Sequence, residues 1–83
     1  MAPLTLHVRI NSPEKVIWEG EAEWVSSENT AVKFDILPMH SNFISVIEKK
    51  PIRVKSGGKE ESYSFDRSVI YAHKNSVLIY THI

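Results

Sequence analysis

The residues able to do acid–base or metal chemistry are scattered along this sequence. Its four histidines, His7, His40, His73 and His82, fall on different segments, none at H-x-x-x-H spacing, and no cysteine supports them. A metal site needs three or four such donors to converge, so solvated strand and turn positions are expected instead. For His7 and His82 the expectation goes no further than cross-strand pairing. Glu14, Glu19, Glu21 and Glu23 spread along what reads as a polar face. Glu60 and Glu61 follow a turn, with one of the two expected to point inward at an edge. A catalytic carboxylate needs an apolar pocket or a like charge to raise its pKa, and none of these has that setting. Ser26-Ser27 lacks the G-x-S-x-G frame of a nucleophile elbow. Gly57-Gly58-Lys59 lacks the spacing and the following helix of a phosphate loop. No catalytic residue, cofactor site or metal ligand is assigned, and the chain is not expected to be an enzyme by itself.

Length and composition agree with a binding role. Eighty-three residues make one domain, 1–83, with a small core. Ten basic residues balance ten acidic ones, so neither nucleic acid nor an anionic membrane is drawn to it from a distance. Without cysteine a disulfide framework is excluded. Apolar runs are a few residues long against the ~20 of a spanning helix, and the opening Met1-Ala2-Pro3 leads into an alternating pattern, not a signal sequence. A soluble intracellular domain without direct membrane insertion, and without a small-molecule substrate, is the expectation.

The elements that must position any site are strands. Leu4, Leu6, Val8 and Ile10 alternate with Thr5, His7, Arg9 and Asn11, the period of a half-buried strand. Ser12-Pro13-Glu14-Lys15 reads as a turn. Val16–Glu19 reads as a short strand broken at Gly20, and Glu21–Ser27 as another, with Ala22, Trp24 and Ser26 sharing one side. A loop follows over 27–30, then a short strand at Ala31–Phe34 and a loop with buried apolar anchors at Ile36–His40, where Pro38 excludes a central strand. Phe43–Ile47 is β-rich, and Ile52 and Val54 alternate with Arg53 and Lys55. Gly57-Gly58 is the strongest hairpin signal. Tyr63 and Phe65 share a parity with Glu61, and Val69–Ala72 and Val77–His82 form a last pair around residues 73–76. Turn signals every 8–12 residues or so make an all-β chain, a β-sandwich or small barrel. Of Trp18 and Trp24, one is expected in the core and one partly exposed, where it could anchor a partner.

Three stretches, in order, carry a resemblance. Leu6–Ala22, with its Ser12-Pro13-Glu14 turn and Trp18-Glu19-Gly20-Glu21-Ala22, is similar to the opening of the epsilon subunits of F-type ATP synthases. Phe34-Asp35-Ile36-Leu37-Pro38-Met39-His40-Ser41-Asn42-Phe43-Ile44 resembles that family's F-G-I-L-P-G-H-A-P-L-I segment. Ile52–Lys55, the glycine turn, Tyr63-Ser64-Phe65 and Asn75–Ile79 resemble its closing strands. The resemblance implies a β-sandwich of about ten short, mostly antiparallel strands, the family's N-terminal domain. It implies a non-catalytic part of the rotating central stalk, docked on the gamma subunit and the c ring, peripheral at the cytoplasmic face of the inner membrane. The loop matching the family's c-ring side is 29–33, including Asn29, Thr30 and Lys33. The motif histidine, which lies near gamma in the family, is His40, flanked by Met39 and Ser41.

The departures are specific. Asp35 and Met39 replace the two motif glycines, and a methionine at a glycine position implies a changed or strained loop. Lys33 stands where an acidic residue is common, and Asp66-Arg67-Ser68 replaces a Ser-Gly-Gly. The resemblance stops at Ile83, before the helical hairpin that inhibits ATP hydrolysis, so no such regulation is expected of residues 1–83. Two other readings stay open: a diverged adaptor that kept the fold and binds another protein, and, on the tryptophans alone, a small hydrolase or carbohydrate-binding module.

Overall fold

The alternation at the start of the chain places Leu6, Val8 and Ile10 fully inside, on strand β1 (Leu6–Asn11); Leu4 precedes the strand and is exposed. The computed structural model describes residues 4–39 and 41–82. Eight more strands follow: β2 (Val16–Ala22), β3 (Trp24–Glu28), β4 (Lys33–Ile36), β5 (Phe43–Glu48), β6 (Pro51–Ser56), β7 (Lys59–Ser64), β8 (Arg67–His73) and β9 (Ser76–Thr81). Nine strands therefore stand where about ten are expected, and no helix forms among the described residues.

They make two sheets, β2-β1-β9-β8-β5 and β4-β3-β6-β7. All neighbours are antiparallel except β1 and β9, which run parallel and join the first strand to the last. Inward side chains of the larger sheet, among them Leu6, Val8, Ile10, Ile47, Ile70, Val77 and Ile79, meet Val25, Ile36, Ile52 and Val54 of the smaller one. Full burial of each such side chain is worth about 1.5–3 kcal/mol, most of it offset by the entropy of ordering the chain.

The chain changes sheet at Glu23, not at Gly20. β2 runs unbroken through Gly20, where a Cβ would stand 3.0 Å from Cζ2 of Trp18. That glycine admits the indole ring; it does not end the strand. At the corner the Glu23 N–H donates to the Lys55 carbonyl and the Ser56 hydroxyl to the Glu21 carbonyl. The corner also resets the parity, so Ala22 and Val25 are buried together and Trp24 faces out, opposite Lys55. Both tryptophans end half-buried, Trp18 against the core and Trp24 on the outer side of the smaller sheet.

The fourth strand starts two residues later than the sequence implies, at Lys33, and its inward residues are Phe34, which packs against the core, and Ile36, which is buried in it. Of the apolar residues after it, Leu37 and Met39 are exposed and Pro38 is half-buried, so among the described residues of that segment Ile36 alone is fully buried. Gly57 and Gly58 both take positive φ, 58° and 80°, in a two-residue turn between Ser56 and Lys59, the conformation the hairpin signal requires. Glu60 and Glu61 are both exposed on β7; Glu61 has the inward parity of Tyr63, opposite Val54, but lies at the edge of the sheet, while Glu60 stands on the outer parity opposite Lys55.

Candidate protein-docking surfaces

The strands β5, β8 and β9 are apolar on both parities. Their inward residues complete the core, and the other parity leaves Ile44, Val46, Val69, Tyr71, Leu78 and Tyr80 on the outer face of the larger sheet. Register aligns them in two rows across three strands, Ile44–Tyr71–Leu78 and Val46–Val69–Tyr80. Ile44 is 67% exposed, and Val46, Tyr71 and Tyr80 are also exposed. The outer face of the smaller sheet differs in kind: Lys33, Asp35, Arg53, Lys55, Glu60 and Ser62 stand there. An apolar block with two tyrosines is the composition of an interface centre. In water it stays hydrated at a cost that burial would remove, about 25 cal/mol per Å².

On β1 and β2 the same face turns polar. Arg9 continues the first row beside Leu78, and Asn11 the second beside Tyr80. His7 sits between two carboxylates, its Nε2 2.8 Å from Glu19 Oε2 and its Nδ1 2.8 Å from Glu21 Oε2. Ionised carboxylates only accept, so this geometry favours the imidazolium form, in which both ring nitrogens donate. The hydrogen bonds to Glu21 and then Glu19 raise the His7 pKa above its ordinary 6.5. The Thr5 hydroxyl, donating to Glu21 at 2.7 Å, and then His7 lower the Glu21 pKa. His7 thus pairs with β2, while His82 meets the edge of the Phe65 ring, so the two histidines do not pair with each other. Tyr71 and His73 lie with nearly parallel rings at the border of the apolar block.

The residues singled out from the sequence fall at two ends of one strand. Asn29 and Thr30 belong to the link before β4 and Lys33 opens that strand, Met39 and Ser41 belong to the link after it, and the length of β4, roughly 13 Å, lies between the two links. His40 lies outside the described residues. Asn29 is half-buried and organises its loop, while Thr30, Lys33, Met39 and Ser41 are exposed. Met39 has φ 67°, the left-handed region, and its N–H donates to Asn75 Oδ1 in the β8–β9 turn. The glycine-like conformation is therefore kept with a methionine in it. Asp35, at the other glycine position, is extended in β4 opposite Ser26 and needs no positive φ. Through Asn75 the loop after β4 adjoins the end of the apolar face, next to Tyr71 and His73.

A groove of ≈350 Å³ on the smaller sheet is lined by Trp24, Ser26, Asp35, Leu37, Arg53 and Glu60. No group of three or more His, Cys, Asp or Glu side chains is placed to hold a metal among the described residues, and no helix there is long and apolar enough to cross a membrane. Sequence reasoning missed the apolar face. Its signal was the continuous run in Phe43–Ile47, Val69–Ala72 and Val77–Tyr80, which in a one-sided strand would alternate.

Comparison with known proteins follows the same line. Residues 5–82 match the model of the family described as ATP synthase, Delta/Epsilon chain, beta-sandwich domain. The chloroplastic ATP synthase epsilon chain of Bigelowiella natans is 35% identical over 80 residues, 94% of this chain and 58% of that one. The ATP synthase epsilon chain of Frankia casuarinae is 32% identical over 77 residues, 92% of this chain and 91% of that one. This chain thus spans under two thirds of the first relative and most of the second. Among solved structures, a chain of the Euglena gracilis mitochondrial ATP synthase, OSCP/F1/c-ring, superposes with a TM-score of 0.86 at 15% identity, over 95% of this chain and 51% of that one. A chain of the Tetrahymena thermophila mitochondrial ATP synthase central stalk and c-ring gives 0.79 at 10% identity, covering 94% and 63%. At those identities the two superpositions establish the sandwich fold.

Proposed function

This chain belongs to the ATP synthase delta/epsilon β-sandwich family, and from that premise we propose that it is a non-catalytic central-stalk module of a proton-translocating synthase. It docks on the gamma subunit through the outer face of the larger sheet and the adjoining loop around Met39, His40 and Ser41. It meets the c ring through the loop at Asn29, Thr30 and Lys33. Within the synthase it works peripherally at the cytoplasmic face of the inner membrane. The observation that carries this reading is the apolar block of Ile44, Val46, Val69, Tyr71, Leu78 and Tyr80, a side of the sandwich that none of the described residues covers.

The mechanics follow from the fold. Coupling a turning ring to a turning shaft asks a linker to resist twist, and chemistry is not required of it. Two sheets packed on one interior, with β1 joined to β9, deform little under load. Two separate attachments also fix orientation, since a single contact would leave the module free to swivel. The test is co-expression with the cognate gamma subunit. A stoichiometric complex that survives size exclusion is the expected result; separate elution of the folded chain and gamma would sink the reading and favour the diverged adaptor.

A further inference from the structure

The loop between β3 and β4 is built around one side chain. Asn29 Oδ1 accepts from the backbone N–H groups of Ala31 at 2.8 Å and Val32 at 2.9 Å, and the Asn29 N–H donates to the Val32 carbonyl at 3.0 Å. Backbone N–H groups only donate, so the amide oxygen must face them and the NH2 must point away. On that other side it donates to Ser45 Oγ at 3.1 Å, across the sandwich. Both residues are half-buried, which shields the bond from water. Ser45 is the inward residue between Ile44 and Val46, the part of β5 that faces outward into the apolar block.

We propose that the Asn29–Ser45 hydrogen bond is a strut that holds the c-ring loop in a set orientation to the gamma-docking face, which rests on the assignment of those two surfaces above. Asn29 and Ser45 are then positioning residues, and the contacts are left to Thr30, Ala31, Val32 and Lys33, all exposed. That tip sets an apolar Val32 beside a cationic Lys33, so it fits a partner loop offering a carboxylate next to an apolar side chain. A link tied only at its strand ends would lose conformational freedom on docking; the strut removes much of that loss beforehand. β5 serves both surfaces, one through its outward side chains and the other through its inward hydroxyl.

Binding of the full chain to purified cognate c ring in detergent, and separately to purified gamma, tests this with Ser45→Ala and Ser45→Thr. Ser45→Ala removes the strut and leaves the turn. Its c-ring affinity should fall about five-fold, the loss of roughly one net hydrogen bond, while gamma affinity stays within about two-fold. Ser45→Thr keeps the hydroxyl and should bind the c ring like the original chain. The amide protons of Ala31 and Val32 should exchange faster in Ser45→Ala, as the turn loosens. Unchanged c-ring affinity in Ser45→Ala overturns the strut, and so does an equal loss for both partners. Should the unaltered chain bind no c ring, the surface assignment fails, and unchanged exchange at Ala31 and Val32 would overturn the strut independently.

Discussion

Met39 holds a backbone conformation that side chains resist. The left-handed region costs an L residue roughly 1–2 kcal/mol, and glycine there gives back part of the gain as chain entropy, about 0.5–1 kcal/mol. Met39→Gly should therefore stabilise the domain by about 0.5–1 kcal/mol in urea denaturation; a loss of stability would mean that the exposed thioether makes a contact worth more than the strain. His7 gives a second residue-scale expectation, with its sign fixed by linkage. Its pKa is raised in the folded chain, so its contribution is complete below about 6.5 and fades as pH climbs through the raised value. Glu21, with its pKa lowered by Thr5 and His7, contributes above its ordinary 4.5 and loses that as pH falls through the lowered value. The cluster thus stabilises most between those two ordinary values. The urea midpoint should drop between pH 6 and pH 8.5, and His7→Gln should flatten that drop; an identical profile in the variant would show the clasp to be inert.

At the scale of the element, parity decides what a substitution does. Ile79 and Ile44 both sit on the larger sheet, one fully buried and one exposed. Ile79→Ala should cost about 2–5 kcal/mol, as a cavity opens in a small core, whereas Ile44→Ala should stay within roughly 0.5 kcal/mol. Comparable losses at both positions, read from urea midpoints, would contradict the register. The inward parity of β1 and β6 was legible because charged or polar residues marked the other face, and the Gly57-Gly58 turn because only a tight hairpin asks for two positive φ values in sequence. Gly20 was misread because its reason lies two residues away, in the ring of Trp18. The site was harder still. Asn29 gives no sequence sign that it reaches Ser45, since that contact exists only after two sheets stack. The apolar face hid for the opposite reason: runs such as Val77–Tyr80 satisfy a core so well that their outward half draws no notice.

At the scale of the whole molecule, the proposed docking has one sheet serve two interiors: its own core on one side and a partner's surface on the other. The electrostatic balance of ten against ten leaves little long-range steering, so attachment must rest on short-range packing at the apolar block and depend weakly on salt. The most direct measurement is the affinity for the cognate gamma subunit of the unaltered chain, of Ile44→Asp with Tyr71→Ser, and of Arg53→Ser on the opposite face as a control. All three should keep nearly the same urea midpoint, because the altered side chains are exposed. The double variant should bind gamma at least about ten-fold more weakly, as loss of an interface centre does, with Arg53→Ser unchanged. Full gamma affinity in the double variant, or a loss confined to Arg53→Ser, would contradict the assignment of the docking face.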